Sequence, residues 1–198
     1  HGRVIVFDLP YGGGANYLDL GGGIILDSGR ADQFYRHVMP TLSHLGASPD
    51  SLIVSHADSK HSGAMSQCLK HYQPKQALIP RTDLLSRSYR SFLSNVGTHG
   101  CQLIIPHSQQ NFEIEPGVFL EILHAPIELA GDGRADDTGL VIRLHWYGWK
   151  ILFMGDAGFI TETRLIESQQ DLSADVIVTG RNRDDFTGRE DFYQAVSP

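Results

Sequence analysis

Ser55-His56-Ala57-Asp58-Ser59-Lys60-His61-Ser62-Gly63 brings two imidazoles, a carboxylate and an ammonium into one short stretch. It follows the apolar run Leu52-Ile53-Val54, which reads as a strand ending in a loop. A strand end presents its side chains at the sheet edge, where ligands from distant strands can meet. His56 and Asp58, two residues apart in an extended loop, can point the same way. His61 falls near the start of the following helix. Imidazole and carboxylate suit zinc, manganese or iron, and a catalytic site keeps one coordination position open for water. Lys60 is the discordant member, because a protonated lysine has no lone pair to give a metal.

Two further groups stand at strand ends. Gly155-Asp156-Ala157 directly follows the apolar strand Ile151 to Met154, and its glycine permits close backbone approach. Asp136-Asp137-Thr138 precedes a strand beginning at Leu140; Asp137 is a candidate ligand, and both aspartates read equally as turn residues. His124 ends another strand and reads as structural. A lone His or Asp in such a place is ordinarily a cap or a core polar group. The grouping of His56, Asp58 and His61 is what points to a metal.

The elements that position these residues follow from the chain's patterning. Its 198 residues are 41% hydrophobic, enough for one domain, 1–198, with its own core, and 21 glycines predict many tight turns. A net charge of −7 argues against gripping a polyanion by bulk electrostatics alone. Cys68 and Cys101 lack metal-finger spacing and are expected as buried free thiols. No segment is apolar for long enough to cross a bilayer, and no signal peptide is visible. The chain starts at His1 and stops just after a helix-like segment, so it is expected to be excised from a longer membrane protein.

Strands are predicted at Arg3 to Asp8, Ala15 to Leu20 and Ile24 to Asp27, joined by glycine-rich turns. Phe34, Val38, Met39, Leu42 and Leu45 recur at helical spacing, with a kink or a break expected at Pro40. After the strand Leu52 to Ser55 come a helix near Gly63 to His71, a strand at Gln76 to Ile79, and a helix from an Asp83 N-cap to Val96. Strands follow at Gln102 to Ile105, Asn111 to Ile114, Val118 to His124, Leu140 to Tyr147 and Trp149 to Met154, with Tyr147-Gly148 as a hairpin turn. A helix from Ile160 to Glu167, a strand from Asp175 to Val178 and a short helix ending near Val196 complete the chain. Strands then helices, twice over, predict two stacked sheets flanked by helices.

These residues resemble the metallo-β-lactamase superfamily, whose hallmark is HxHxDH after a strand. Within it they look most like the soluble domain of ComEC-type DNA-uptake proteins, where an aspartate takes the second ligand position. The family's SHPDADHIGG is similar to SHADSKHSGA here. Val6 to Ala15 resembles the opening D-x-G-x-G-D-A segment, Ile25 to Gly29 (ILDSG) resembles LIDGG, and Met39 to Gly46 resembles LPYLRSLG. Asp136 to Leu144 with Leu152 to Ala157 is similar to NNxSLVLRL…LLTGDA. Ala174 to Gly180 and Phe192 to Pro198 are similar to the family's last strand and its FLEAVKP ending.

The resemblance implies an α/β fold, a four-layer αββα sandwich of two mixed sheets with the site along one edge. It implies a metal-dependent phosphodiesterase or nuclease of DNA uptake. One divalent metal, zinc or manganese, or none, is the expected cofactor, with no small organic cofactor. His56 and Asp58 would serve a first metal and His61 a second, with Asp156 bridging. Lys60 stands where the family has the aspartate that binds the second metal. Gly180-Arg181-Asn182-Arg183-Asp184 replaces its GHHGS, so a histidine ligand is lost too. Two readings of Lys60 stand open: an ammonium filling the vacated position, paired with Asp156 and Asp58, or a side chain turned to solvent.

Three functions stay open at this level. The domain is a metal-dependent nuclease, or a catalytically inactive binding or structural domain of a DNA-uptake membrane protein, or an enzyme of altered chemistry with Lys60 as base. Arg87 and Arg90, one helical turn apart, and Arg181 and Arg183 are candidate nucleic-acid contacts, although spaced arginines also make an ordinary solvated face. Single-stranded DNA and the transmembrane parts of a parent protein are the expected partners. The expected location is the periplasmic or outer side of a membrane.

Overall fold

The structure is a computed structural model, and it describes residues 2–83, 85–126, 135–180 and 187–198, with 135 and 136 described by their backbone alone. Its contacts divide the chain into two compact units, His1–Ile79 with Leu84–Ile105, and Pro80–Asp83 with Pro106–Pro198.

The first unit holds a six-stranded sheet in chain order, β1 (Arg3–Val6), β2 (Ala15–Asp19), β3 (Ile24–Ser28), β4 (Ser51–Ile53), β5 (Gln76–Leu78) and β6 (Gln102–Ile104). The first three strands pair antiparallel and β3 to β6 run parallel. Parallel neighbours need crossovers, and helices supply them. These are α1 (Ala31–Gln33) and α2 (Met39–His44), then α3 (Ser59–Ser62) and α4 (Met65–Tyr72), then α5 (Arg87–Val96). Phe34, Leu42, Met65, Leu69 and Phe92 from the helical segments share a buried cluster with Tyr17, Ile25, Leu52 and Ala77 from the sheet.

The second unit holds a five-stranded sheet ordered β11-β10-β9-β8-β7. Its strands are β7 (Asn111–Glu115), β8 (Val118–His124), β9 (Val141–Trp146), β10 (Trp149–Gly155) and β11 (Val176–Thr179). All pairs are antiparallel except β10 with β11, which α6 (Phe159–Glu167) connects. A last helix, α7 (Glu190–Val196), lays Phe192 and Val196 into a cluster with Leu152, Met154 and Leu165. Tyr147 and Gly148 both take positive φ, 46° and 93°, the turn that matches strand twist in a two-residue hairpin. Two mixed sheets flanked by helices make the α/β class that the pattern predicted.

Three elements differ from the sequence expectation. Pro40 breaks no helix; a π-helical turn over Phe34–Val38 precedes α2, and the Met39 N–H reaches the Phe34 carbonyl. Proline lacks an N–H and crowds the carbonyl four residues back, and the wider turn ahead of it accommodates both. The helix after Leu85 starts at an N-cap of Ser86 rather than Asp83, because the Ser86 hydroxyl accepts the Tyr89 N–H at 3.2 Å. A separate helical turn, α3, lies within the His/Asp loop itself. Among the described residues no helix is long and apolar enough to cross a membrane. Cys68 and Cys101 are buried free thiols, as expected.

Candidate metal centre

In the first unit the site gathers at the C-terminal ends of β3 and β4. Their parallel register sets Leu26 beside Ile53, so Asp27, one residue on, and Ser55, two residues on, come together although 28 positions separate them. Asp27 is 2% exposed and has a φ of 61°, unusual for a residue with a side chain. Its Oδ1 accepts the Ser55 N–H at 2.7 Å and its Oδ2 accepts the Ser55 hydroxyl at 2.5 Å. The same hydroxyl oxygen lies 2.9 Å from His56 Nδ1. Burial pushes the Asp27 carboxyl up to about 6, against opposing contributions from His61 and the Ser55 hydrogen bonds.

Asp58 is the N-cap of α3. Its Oδ1 accepts the backbone N–H groups of Lys60 at 3.1 Å and His61 at 2.9 Å, and lies 2.8 Å from His61 Nδ1. Burial raises the Asp58 carboxyl, but the hydrogen bonds and attraction from His61, with a smaller contribution from His56, outweigh it and leave the carboxyl below its ordinary range. A carboxylate ionised at neutral pH has no proton to give, so His61 Nδ1 is the donor. The same logic applies to His56. The Ser55 hydroxyl spends its one proton on Asp27 and accepts from His56 Nδ1.

Each ring thus has an oxygen partner at Nδ1. They are buried, 3% exposed at His56 and 1% at His61, with centroids 5.1 Å apart. Gly14 leaves His61 room, since a Cβ there would lie 2.6 Å from His61 Cδ2. Imidazole and carboxylate are the donor types that suit a divalent ion such as zinc or manganese.

Lys60 makes its hydrogen bonds through the backbone: its N–H goes to Asp58, and its carbonyl accepts from Gly14 N–H at 3.3 Å. Among the described residues its ammonium has no ion-pair partner, so the expected pairing with Asp58 is not formed.

The structure brings α5 against this loop. The Ser86 N–H donates to the carbonyl of Ala57, the residue after His56, at 3.2 Å. Arg87 and Arg90, both exposed, project from the first turn of that helix.

In the second unit Asp156 follows β10 and is 5% exposed. Gly155 has a φ of 55°, and Gly180 N–H donates to the Gly155 carbonyl at 2.7 Å. A Cβ on Gly180 would fall 2.0 Å from Asp156 Oδ1, so only glycine fits there. Asp156, Glu162, Thr179, Gly188 and Tyr193 line a crevice of about 10 Å³, room for one water molecule. Glu162 accepts the N–H groups of Gly188 at 2.6 Å and Arg189 at 3.0 Å, which secures the segment entering α7.

Asp137 caps a helix. Its Oδ1 accepts the Thr161 N–H at 2.9 Å and the Thr161 hydroxyl at 2.8 Å, capping α6 where the N-cap residue, Gly158, has no side chain to do so. Arg181 and Arg183 lie outside the described residues. Asp27 and Gly14 are site residues that the sequence reading did not single out. Ile25 to Gly29 carried the signal for Asp27, but nothing in one strand says what the next will place beside it.

No family model and no curated protein matches the chain. Solved structures do. A metallo-β-lactamase from Cronobacter sakazakii, a HARLDQ-motif mutant, is similar at a TM-score of 0.59 and 11% identity, over 98% of this chain and 92% of that one. A metallo-β-lactamase from Staphylococcus aureus is similar at 0.61 and 12%, over 100% of this chain and 63% of that one. This chain has the metallo-β-lactamase fold. A metallo-β-lactamase from Hirschia baltica adds a third likeness, at 0.53 and 15%, over 99% and 91%. At such identities the likeness extends to the fold alone.

Proposed function

We propose that this metallo-β-lactamase-fold domain binds one divalent metal ion through His56, Asp58 and His61, and is a ComEC-like relative of the DNA-uptake nucleases with much reduced hydrolysis. The carrying observation is the buried pair His56 and His61 beside Asp58, each ring with an oxygen at Nδ1. Asp58 would bind through Oδ2, because Oδ1 serves α3. Asp156 is added as a ligand by the resemblance alone. A bound ion would polarise a phosphodiester and lower the pKa of water. Arg87 and Arg90 would hold the phosphate backbone of single-stranded DNA, since their helix is hydrogen-bonded to the His56 loop. Lys60 removes the aspartate that a second ion needs, which accounts for weak turnover. The parent would be a membrane protein carrying this domain outside the cytoplasm.

The test is metal binding followed by hydrolysis. Calorimetry with zinc and with manganese should give one site per chain in the wild type and none in His56→Ala. Cleavage of single-stranded DNA should need metal, be slow, and vanish in the same variant. Arg87→Glu with Arg90→Glu should weaken DNA binding and its salt dependence. Failure of both metals to bind ends the reading. Metal-free DNA binding without cleavage would instead favour the inactive binding domain, the alternative that Lys60 in a ligand's place supports.

A further inference from the structure

We propose that the pocket between the π-helical turn Phe34–Val38 and α4 binds a small aromatic acid, one ring carrying a carboxylate and a hydrogen-bond donor. The pocket measures about 170 Å³ and is lined by Phe34, Tyr35, Met39, Gln67, Lys70 and His71. Its form starts in the sequence. Pro40 has no N–H to give, and the turn ahead of it closes through the Met39 N–H on the Phe34 carbonyl, five residues back. The extra residue makes that turn bulge, a feature frequent at functional sites. Phe34 is fully buried and Tyr35 half exposed, with their rings edge to face at 5.9 Å. The facing wall is one side of α4, because Gln67, Lys70 and His71 stand three and four residues apart on a helix.

Size, polarity and charge select the occupant. A cavity of about 150 Å³ takes a benzene ring, so this pocket admits one ring with small substituents. Phe34 and Tyr35 offer ring contacts and Met39 a thioether, all suited to an aromatic partner. Lys70 and His71, both exposed in the last turn of α4, offer N–H donors to an anion. Among the described residues that line the pocket none is acidic. The chain carries a net charge of −7, yet no Asp or Glu occurs from 33 to 49 or from 59 to 82, the stretches that supply both walls. Arg36 and His37 add positive groups on the same turn. Gln67 sets the last requirement. Its side-chain carbonyl oxygen is shielded from water and has no hydrogen-bond partner, a costly state that an N–H or O–H on the ligand relieves. None of the six lining residues belongs to the metal centre, so the site stands apart from that reading.

The probe is para-hydroxybenzoate, which has one ring, a carboxylate and a hydroxyl donor, added to protein kept metal-free by a chelator. Proton–nitrogen correlation spectra should show saturable shifts at the amides of Tyr35, Met39, Gln67, Lys70 and His71, and none in the His56 loop. Lys70→Gln should weaken binding about tenfold through the lost charge-assisted contact, with Lys70→Arg within a few-fold of wild type. Tyr35→Ala should weaken it as well. Tyr35 and Lys70 are exposed, and the spectra of the free variants report whether each keeps the fold. Benzoate lacks the donor and should bind wild type several-fold more weakly, whereas Gln67→Leu should bind the two acids alike. Para-cresol lacks the anion, and the preference for para-hydroxybenzoate over it should vanish in Lys70→Gln. No saturable shift at millimolar probe overturns the proposal. Shifts confined to the His56 loop, or equal affinity in wild type and Lys70→Gln, overturn it too.

Discussion

Replacing Asp27 by asparagine should change the pH dependence of stability in one window. The Asp27 carboxyl is buried and pushed up to about 6 from an ordinary 3.8. Between these values the folded protein holds a proton that the unfolded chain has lost. Stability from this group is therefore fully present below pH 3.8 and is lost as pH rises through 6. A shift of about 2 units at 1.36 kcal/mol each makes the loss about 3 kcal/mol. Asparagine has the same shape and no charge to bury, so it escapes the loss. Urea unfolding of both proteins with a chelator present gives the difference in stability at each pH. From pH 4 to pH 7.5 that difference should move by about 3 kcal/mol in favour of Asp27→Asn and then level off. Asp58 acts with the opposite sign and in a lower window, since its carboxyl lies below the ordinary range and its contribution is lost only as pH falls through it. Curves for the two proteins that run parallel from pH 4 to pH 7.5 would refute the reasoning.

Two glycines should respond in opposite directions. Gly180→Ala puts a methyl 2.0 Å from Asp156 Oδ1 and 2.4 Å from the Gly155 carbonyl, and should lower stability by about 3 kcal/mol by chemical denaturation. Gly97→Ala meets nothing within 4 Å at an ordinary φ of −63°, and should raise stability by roughly 0.4–1 kcal/mol. Asp137→Ala should lower stability by about 1 kcal/mol through the lost cap on α6 and leave zinc affinity unchanged. A tenfold loss of zinc affinity in that variant would make Asp137 a ligand after all.

Much of the fold was legible because its signals are local. The glycine-rich turns, the Tyr147-Gly148 hairpin and the helical spacing of Phe34, Val38 and Leu42 each depend on neighbours in sequence. The starts of helices were less so. Asp83 and Ser86 are both good N-caps, and which one acts depends on where the chain crosses from β5, with Ser86 tied to the Ala57 carbonyl. Asp137 shows the same limit at the site. Before a strand it reads as ligand or turn former, and its partner Thr161 lies 24 residues away.

Sequence alone determined that two histidines and an aspartate would share one loop after a strand, because spacing along an extended chain fixes their proximity. It also determined that Lys60 stands among them, and that no ammonium can serve as ligand. Tertiary structure decided what those groups are bonded to. The parallel pairing of β3 with β4 sets Asp27 beside Ser55, and the cap on α3 commits one oxygen of Asp58. The oxygen that reaches the His56 ring is itself held by a carboxylate from a strand the loop does not contain.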